Sequence, residues 1–294
     1  LYGAVRPLLL TYATLLNERE KPKAISSIFY YESMGFFVGG LLFGFIYDQN
    51  QAWAGSMIFP FSGLCCLIAA TMMLRIPAGS AAPYDSKRDK SFARTRLLSQ
   101  IKNDLTEVYQ CKPLLRLCFV ALLASIANFC FFGMFFAFYT EGVGGSGFAM
   151  SITLSVSTVI GMVSFPLARR FVELWGGLPV IKTAISLWIG NYLLMGITSS
   201  PFWVSVLFVL PIYPFFLVSV NYLAAETSRS ERRGGGLGAL AGVAAFSMGL
   251  GTVLGGAVGD RLGLNAVPFV AALISLGAYV VSTFLLNTEK YYGR

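Results

Sequence analysis

Two ionisable residues stand deep inside apolar runs of this sequence. Arg6 lies about ten residues before the first basic loop and Glu32 about ten after it, which at 1.5 Å rise per helical residue is roughly 12–15 Å into the apolar layer. They fall on consecutive antiparallel helices, so they can pair. A charge at that depth costs about 2.5–3.5 kcal/mol on insertion scales and normally faces a cavity or a partner. Two chemistries suit the pair. Arg6 could bind an anionic group of a solute, or control Glu32, while Glu32 carries a proton. Alternatively the two form a buried ion pair that fixes helix packing. Pro7, next to Arg6, frees carbonyls that a cavity can use.

Polar groups of a second kind sit further along. Asn128 lies midway in an apolar run among Phe129, Phe131, Phe132, Phe135, Phe136 and Tyr139. An amide among aromatics suits recognition of an amphipathic or aromatic solute. Equally, the rings could face lipid while Asn128 bonds to a neighbouring helix. Another run carries Tyr213, Pro214, Asn221 and Tyr222. The candidate substrate-binding set is therefore Arg6, Asn128, Phe131, Phe135, Tyr213 and Asn221, with Glu32 as the candidate proton-coupling group.

Other chemistries find no support. The chain has no His, so a proton relay would use carboxylates or water. There is no Gly-Lys-Ser/Thr nucleotide loop, no metal-ligand spacing and no Gly-x-Ser-x-Gly. No enzyme, catalytic residue, metal or cofactor is expected. The five Cys do not form a disulfide framework: Cys65 and Cys66 are adjacent in one apolar run, Cys118 and Cys130 share another, and Cys111 could be a free thiol.

These residues must be positioned by membrane helices. Of 294 residues, 56% are hydrophobic and 12% charged, against about 25% charged in soluble domains. Only a bilayer accommodates so much apolar surface, and within it backbone pairing demands helices. Nine apolar stretches are expected: 1–16, short for a span, then 25–47, 52–74, 114–139, 148–168, 178–197, 202–225, 235–258 and 266–286. The net charge of +8 reflects topology, and no nucleic acid partner is expected. Lys and Arg concentrate in alternate connections: 19–23, 87–112, 169–182, 229–233 and the C-terminal end, with Arg261 breaking the pattern. Those loops and the C-terminus are expected in the cytoplasm, in a multi-pass protein of the cell membrane. Three regions follow. Residues 1–75 form a partial N-terminal transmembrane domain of three helices. Residues 76–112 are a cytoplasmic linker, and 113–294 a six-helix C-terminal domain. Leu97, Leu98, Ile101, Leu105 and Val108 keep helical spacing. They could form an amphipathic helix on the inner membrane surface, or a linker helix packed on the cytoplasmic loops.

The first three stretches look like a copy of the last three. Ser33-Met34-Gly35, Gly39-Gly40 and Asp48 match Ser247-Met248-Gly249, Gly255-Gly256 and Asp260, and Pro7 with its run matches Pro214 with its own. This places Tyr213 at the repeat position of Arg6. Copies six helices apart, joined by a cytoplasmic linker, describe two halves that rock about a midplane site.

On Gly3-Ala4-Val5-Arg6-Pro7, 33–48, 234–263 and the basic linker, the chain resembles the major facilitator superfamily from its fourth to its twelfth helix, so three earlier helices are expected to be missing. Phe165 to Gly177 resembles that family's loop signature in degenerate form, with Arg169-Arg170 where Asp-Arg would stand. The resemblance implies an MFS-type all-α bundle with the solute cavity between two domains, lined by the helix of Asn128. It also implies that the helix of Asn191 and Tyr192 faces lipid, so both read as structural. The expected function is secondary active transport of small organic solutes by alternating access, most simply proton-coupled efflux of a drug or metabolite. Partners are then a small solute, the bilayer and H+. The alternatives are an uptake permease for an organic anion or sugar and, in another class, a polytopic receptor.

Overall fold

A computed structural model describes residues 25–35, 111–228 and 233–286, together with Lys23, Phe37, Leu64, Leu67 and Thr71. There is no strand among them. The order of elements is α1 (Lys112–Ala137), α2 (Gly147–Trp175), α3 (Gly177–Ile197), α4 (Pro201–Val209), α5 (Ile212–Thr227), α6 (Arg233–Leu262) and α7 (Val267–Leu285). A π-helical turn, Phe138–Gly142, extends α1, and a 3-10 turn, Leu264–Ala266, leads into α7.

By length and composition, six segments among the described residues can cross a membrane: Lys112–Gly142, Gly147–Trp175, Gly177–Ile197, Pro201–Thr227, Gly235–Leu262 and Leu264–Leu285. These coincide with the last six expected stretches. Of the first three, 25–35 and Phe37 are helical, as are Leu64, Leu67 and Thr71; the rest of them, and the linker through Gln110, lie outside the described residues.

Local chemistry sets the boundaries. Pro113 sits in the first turn of α1, where its missing N–H is harmless. Ser146 caps α2 by accepting from the Ala149 N–H at 3.2 Å. Gly176, at φ +80°, ends α2 and starts α3 within a single residue, a conformation that favours Gly. Two boundaries differ from expectation. The α2 helix runs to Trp175 rather than stopping at Ala168, so Arg169 and Arg170 are helical. Beyond the hydrocarbon layer a helix tolerates charge, and Arg169 pairs with Glu173 one turn on at 2.7 Å. In the same way α6 takes in Asp260 and Arg261.

At the centre of the bundle, α1 packs chiefly on α6 and α7. The α3 helix packs on α7 and α5, and α2 on α5 and α4. The α1–α6 contact is backbone to backbone. A Cβ at Gly251 would lie 2.7 Å from the Ile126 carbonyl oxygen, and one at Gly255 would strike the Cys130 carbonyl. Small residues of this kind let membrane helices approach closely. Gly251 and Gly255 thus face α1 of their own bundle, whereas Gly238 and Gly242 have open space around them. The 25–35 helix rests on α2 through Phe29, whose ring stacks on Phe165 at 5.6 Å.

Candidate functional site

Asn128 lies on the edge of the buried face of α1, half-buried. Its side-chain oxygen accepts from the Tyr192 hydroxyl of α3 at 3.3 Å. Tyr192 is buried within the bundle and packs its ring against Phe131 at 5.3 Å. Phe131 and Phe135 are themselves core residues. Phe131 meets Phe135 and Phe138, while Phe135 stacks on Phe208 of α4 at 3.9 Å with planes 14° apart. Both rings are buried, and they hold α1 against α3 and α4. The rings that α1 turns outward are Phe119, Phe132 and Phe136.

A polar clip closes the far end of this cluster. Tyr139, in the π turn, shares a hydrogen bond of 3.0 Å with Ser205 of α4, which also accepts from Thr153 of α2 at 2.8 Å. One serine therefore joins three helices. The π turn that aims Tyr139 inward ends where Gly144, at φ +74°, lets the chain reverse.

The fourth of the six spans is not continuous. It breaks at Leu210 and Pro211, between α4 and α5. Nine residues of α4 at 1.5 Å each put the break about 14 Å from the start of the span, near mid-bilayer. Irregular backbone at that depth is tolerated only where it is buried in protein or lines a water-filled cavity. Tyr213 follows the break directly and is 39% exposed, with Leu210 at 47%. The break therefore lies at an exposed face of the bundle. Pro214 drew attention in the sequence; the break itself was missed, and the spacing Pro211-x-x-Pro214 was its signal.

The remaining candidates are scattered. Asn221 is buried on α5 and donates its side-chain amide to the Leu217 carbonyl at 2.8 Å, within its own helix. Glu32 is half-buried on the 25–35 helix, three residues from Phe29 and its contact with α2. Arg6 lies outside the described residues. Asn191 and Tyr192 point into the bundle rather than towards lipid. A cleft of about 670 Å³, unforeseen in the sequence, lies between the π turn and the end of α6. Its ionisable lining groups are Glu141 and Asp260.

Six membrane-length helical segments among the described residues, one broken in mid-span, define a polytopic membrane protein. The family model described as MFS_1 like family matches residues 4–269, and the chain belongs to that family of membrane transporters. No curated protein matches the chain.

Proposed function

We propose that this protein exports small organic solutes by proton-coupled alternating access, as a multi-pass protein of the cell membrane with a cytoplasmic C-terminus. The observation that carries the reading is the break at Leu210 and Pro211, which sets Tyr213 and unpaired backbone groups at an exposed face near mid-bilayer. Irregular backbone that is exposed at that depth is tolerated where it lines a water-filled cavity, and such a cavity admits a solute. Asn128, its oxygen already held by Tyr192, supplies a fixed polar group at the edge of an aromatic core. In this reading Asn128 and Tyr213 touch the solute, and Phe131, Phe135 and Asn221 form the framework behind them. Glu32 carries the proton, with Arg6 as its partner.

Export is favoured over uptake of an organic anion by the cleft at Glu141 and Asp260, whose carboxylates repel anions. The test is flux into proteoliposomes under an imposed pH gradient, using rhodamine 6G as the cation and fluorescein as the anion. Gradient-driven movement of rhodamine that Glu32→Gln abolishes supports the proposal. Undiminished flux in that variant contradicts the proton assignment. Movement of fluorescein alone, lost in Arg6→Ala, would favour the anion permease.

A further inference from the structure

The break between α4 and α5 leaves a short, countable set of unpaired backbone groups. The first donors of a helix have no intrahelical acceptor. In α5 these positions are Pro211, Ile212, Tyr213 and Pro214. The prolines carry no N–H. Ile212 donates to the Leu210 carbonyl at 2.8 Å. The Tyr213 N–H remains. On the other side, Leu210 donates to Leu207 at 3.3 Å, and Pro211 cannot donate at all. The Phe208 and Val209 carbonyls are left without a backbone donor among the described residues.

A second, independent group lies on α3, which packs on α5. Asn191 of α3 is only 9% exposed, and its Oδ1 is enclosed without a hydrogen-bond partner. The register of α3 on α5 fixes its level. The two helices run antiparallel. A Cβ at Gly177 would lie 2.7 Å from Leu223, and Trp188 packs on Phe216 at 4.7 Å. Asn191 is one turn beyond Trp188 on the same face, which brings it level with 209–213. Thus α3 offers a buried unpaired acceptor at the level where α5 offers an unpaired donor and the end of α4 two unpaired carbonyls.

We propose that an ordered water occupies this place, bound between the enclosed Asn191 Oδ1 and the free backbone groups of the unwound turn. A water needs two to four polar partners, and this site supplies four. It donates to Asn191 and to the Phe208 or Val209 carbonyl, and accepts from the Tyr213 N–H. It stands in for the helical rungs from Ile212 to Phe208 and from Tyr213 to Val209, which the break leaves unmade, and ties the break to α3. The inference does not depend on what the protein carries.

The test compares wild type and Asn191→Leu, purified as the whole chain, by thermal unfolding. A bridging water predicts a lower midpoint for Asn191→Leu, because the water loses an anchor and strands the carbonyls. An unfilled site predicts a higher midpoint, since leucine removes an unsatisfied oxygen, and that result overturns the proposal. Hydrogen exchange of wild type gives a readout that needs no variant. The Tyr213 amide should exchange about tenfold or more faster than those of Val218 and Val220 further along α5. Equal protection overturns the proposal. So does a midpoint that rises in sodium chloride but not in choline chloride and loses that response in Asn191→Leu, because the occupant would then be a cation.

Discussion

The close contact of α6 with α1 makes a quantitative prediction through Gly251→Ala. The added methyl would stand 2.7 Å from the Ile126 carbonyl oxygen, 2.9 Å from Phe129 Cβ and 3.0 Å from the Cys130 nitrogen. Two of these atoms are backbone of the facing helix and cannot swing aside. Ordinary contact begins at 3.4 Å, so α1 must retreat by about 0.7 Å, the difference between 3.4 and 2.7 Å. Overpacking of this kind costs about 1–3 kcal/mol. Replacing Gly by Ala within a helix returns about 0.8–1 kcal/mol through propensity. Gly277→Ala on α7 isolates that second effect, because its methyl meets nothing within 4 Å. The propensity terms cancel between the two variants. Gly251→Ala should therefore be less stable than Gly277→Ala by about 1–3 kcal/mol. For a protein of this size that is roughly 2–12 °C in the midpoint of thermal unfolding. The assay is unfolding of both purified variants in one detergent. Equal midpoints would refute the claim that α6 lies backbone to backbone on α1.

Three smaller perturbations follow from the same geometry. Tyr192→Phe removes the bond to Asn128 and should cost about 0.5–1.5 kcal/mol, read as a lower unfolding midpoint. Arg169→Gln breaks a pair whose side chains are 30% and 36% exposed, so its midpoint should stay within about 0.5 kcal/mol of wild type. Pro211→Ala with Pro214→Ala restores two backbone donors and lets α4 and α5 join, so the amides of Leu210 and Ile212 should become protected from hydrogen exchange, and solute flux should fall.

The helical class was legible because long apolar runs admit little else, and six of them form spans as expected. Their ends were less legible. Arg169, Arg170, Asp260 and Arg261 read as loop residues by charge, yet a helix keeps its backbone bonds as it leaves the hydrocarbon, where charge is no penalty. Gly251 and Gly255 are four residues apart and share a helix face, but spacing does not say what meets that face, so α1 as its partner was not legible. Phe131 and Phe135 show the same limit. In lipid, outward and inward faces are both apolar, so hydrophobicity cannot tell core rings from exposed ones. The break escaped notice because a proline in a membrane helix more often bends a span than splits it; the pair at 211 and 214 removes enough donors to split it.

Alternating access requires water to reach the unwound turn of the fourth described span from either side of the membrane. Its most direct measurement is thiol labelling of Tyr213→Cys, with the native cysteines replaced, by a charged, membrane-impermeant methanethiosulfonate in right-side-out and inverted vesicles. Labelling in both orientations, slowed by a transported solute, is the predicted result. Reaction only with a lipid-soluble maleimide would place residue 213 against the bilayer and contradict the account.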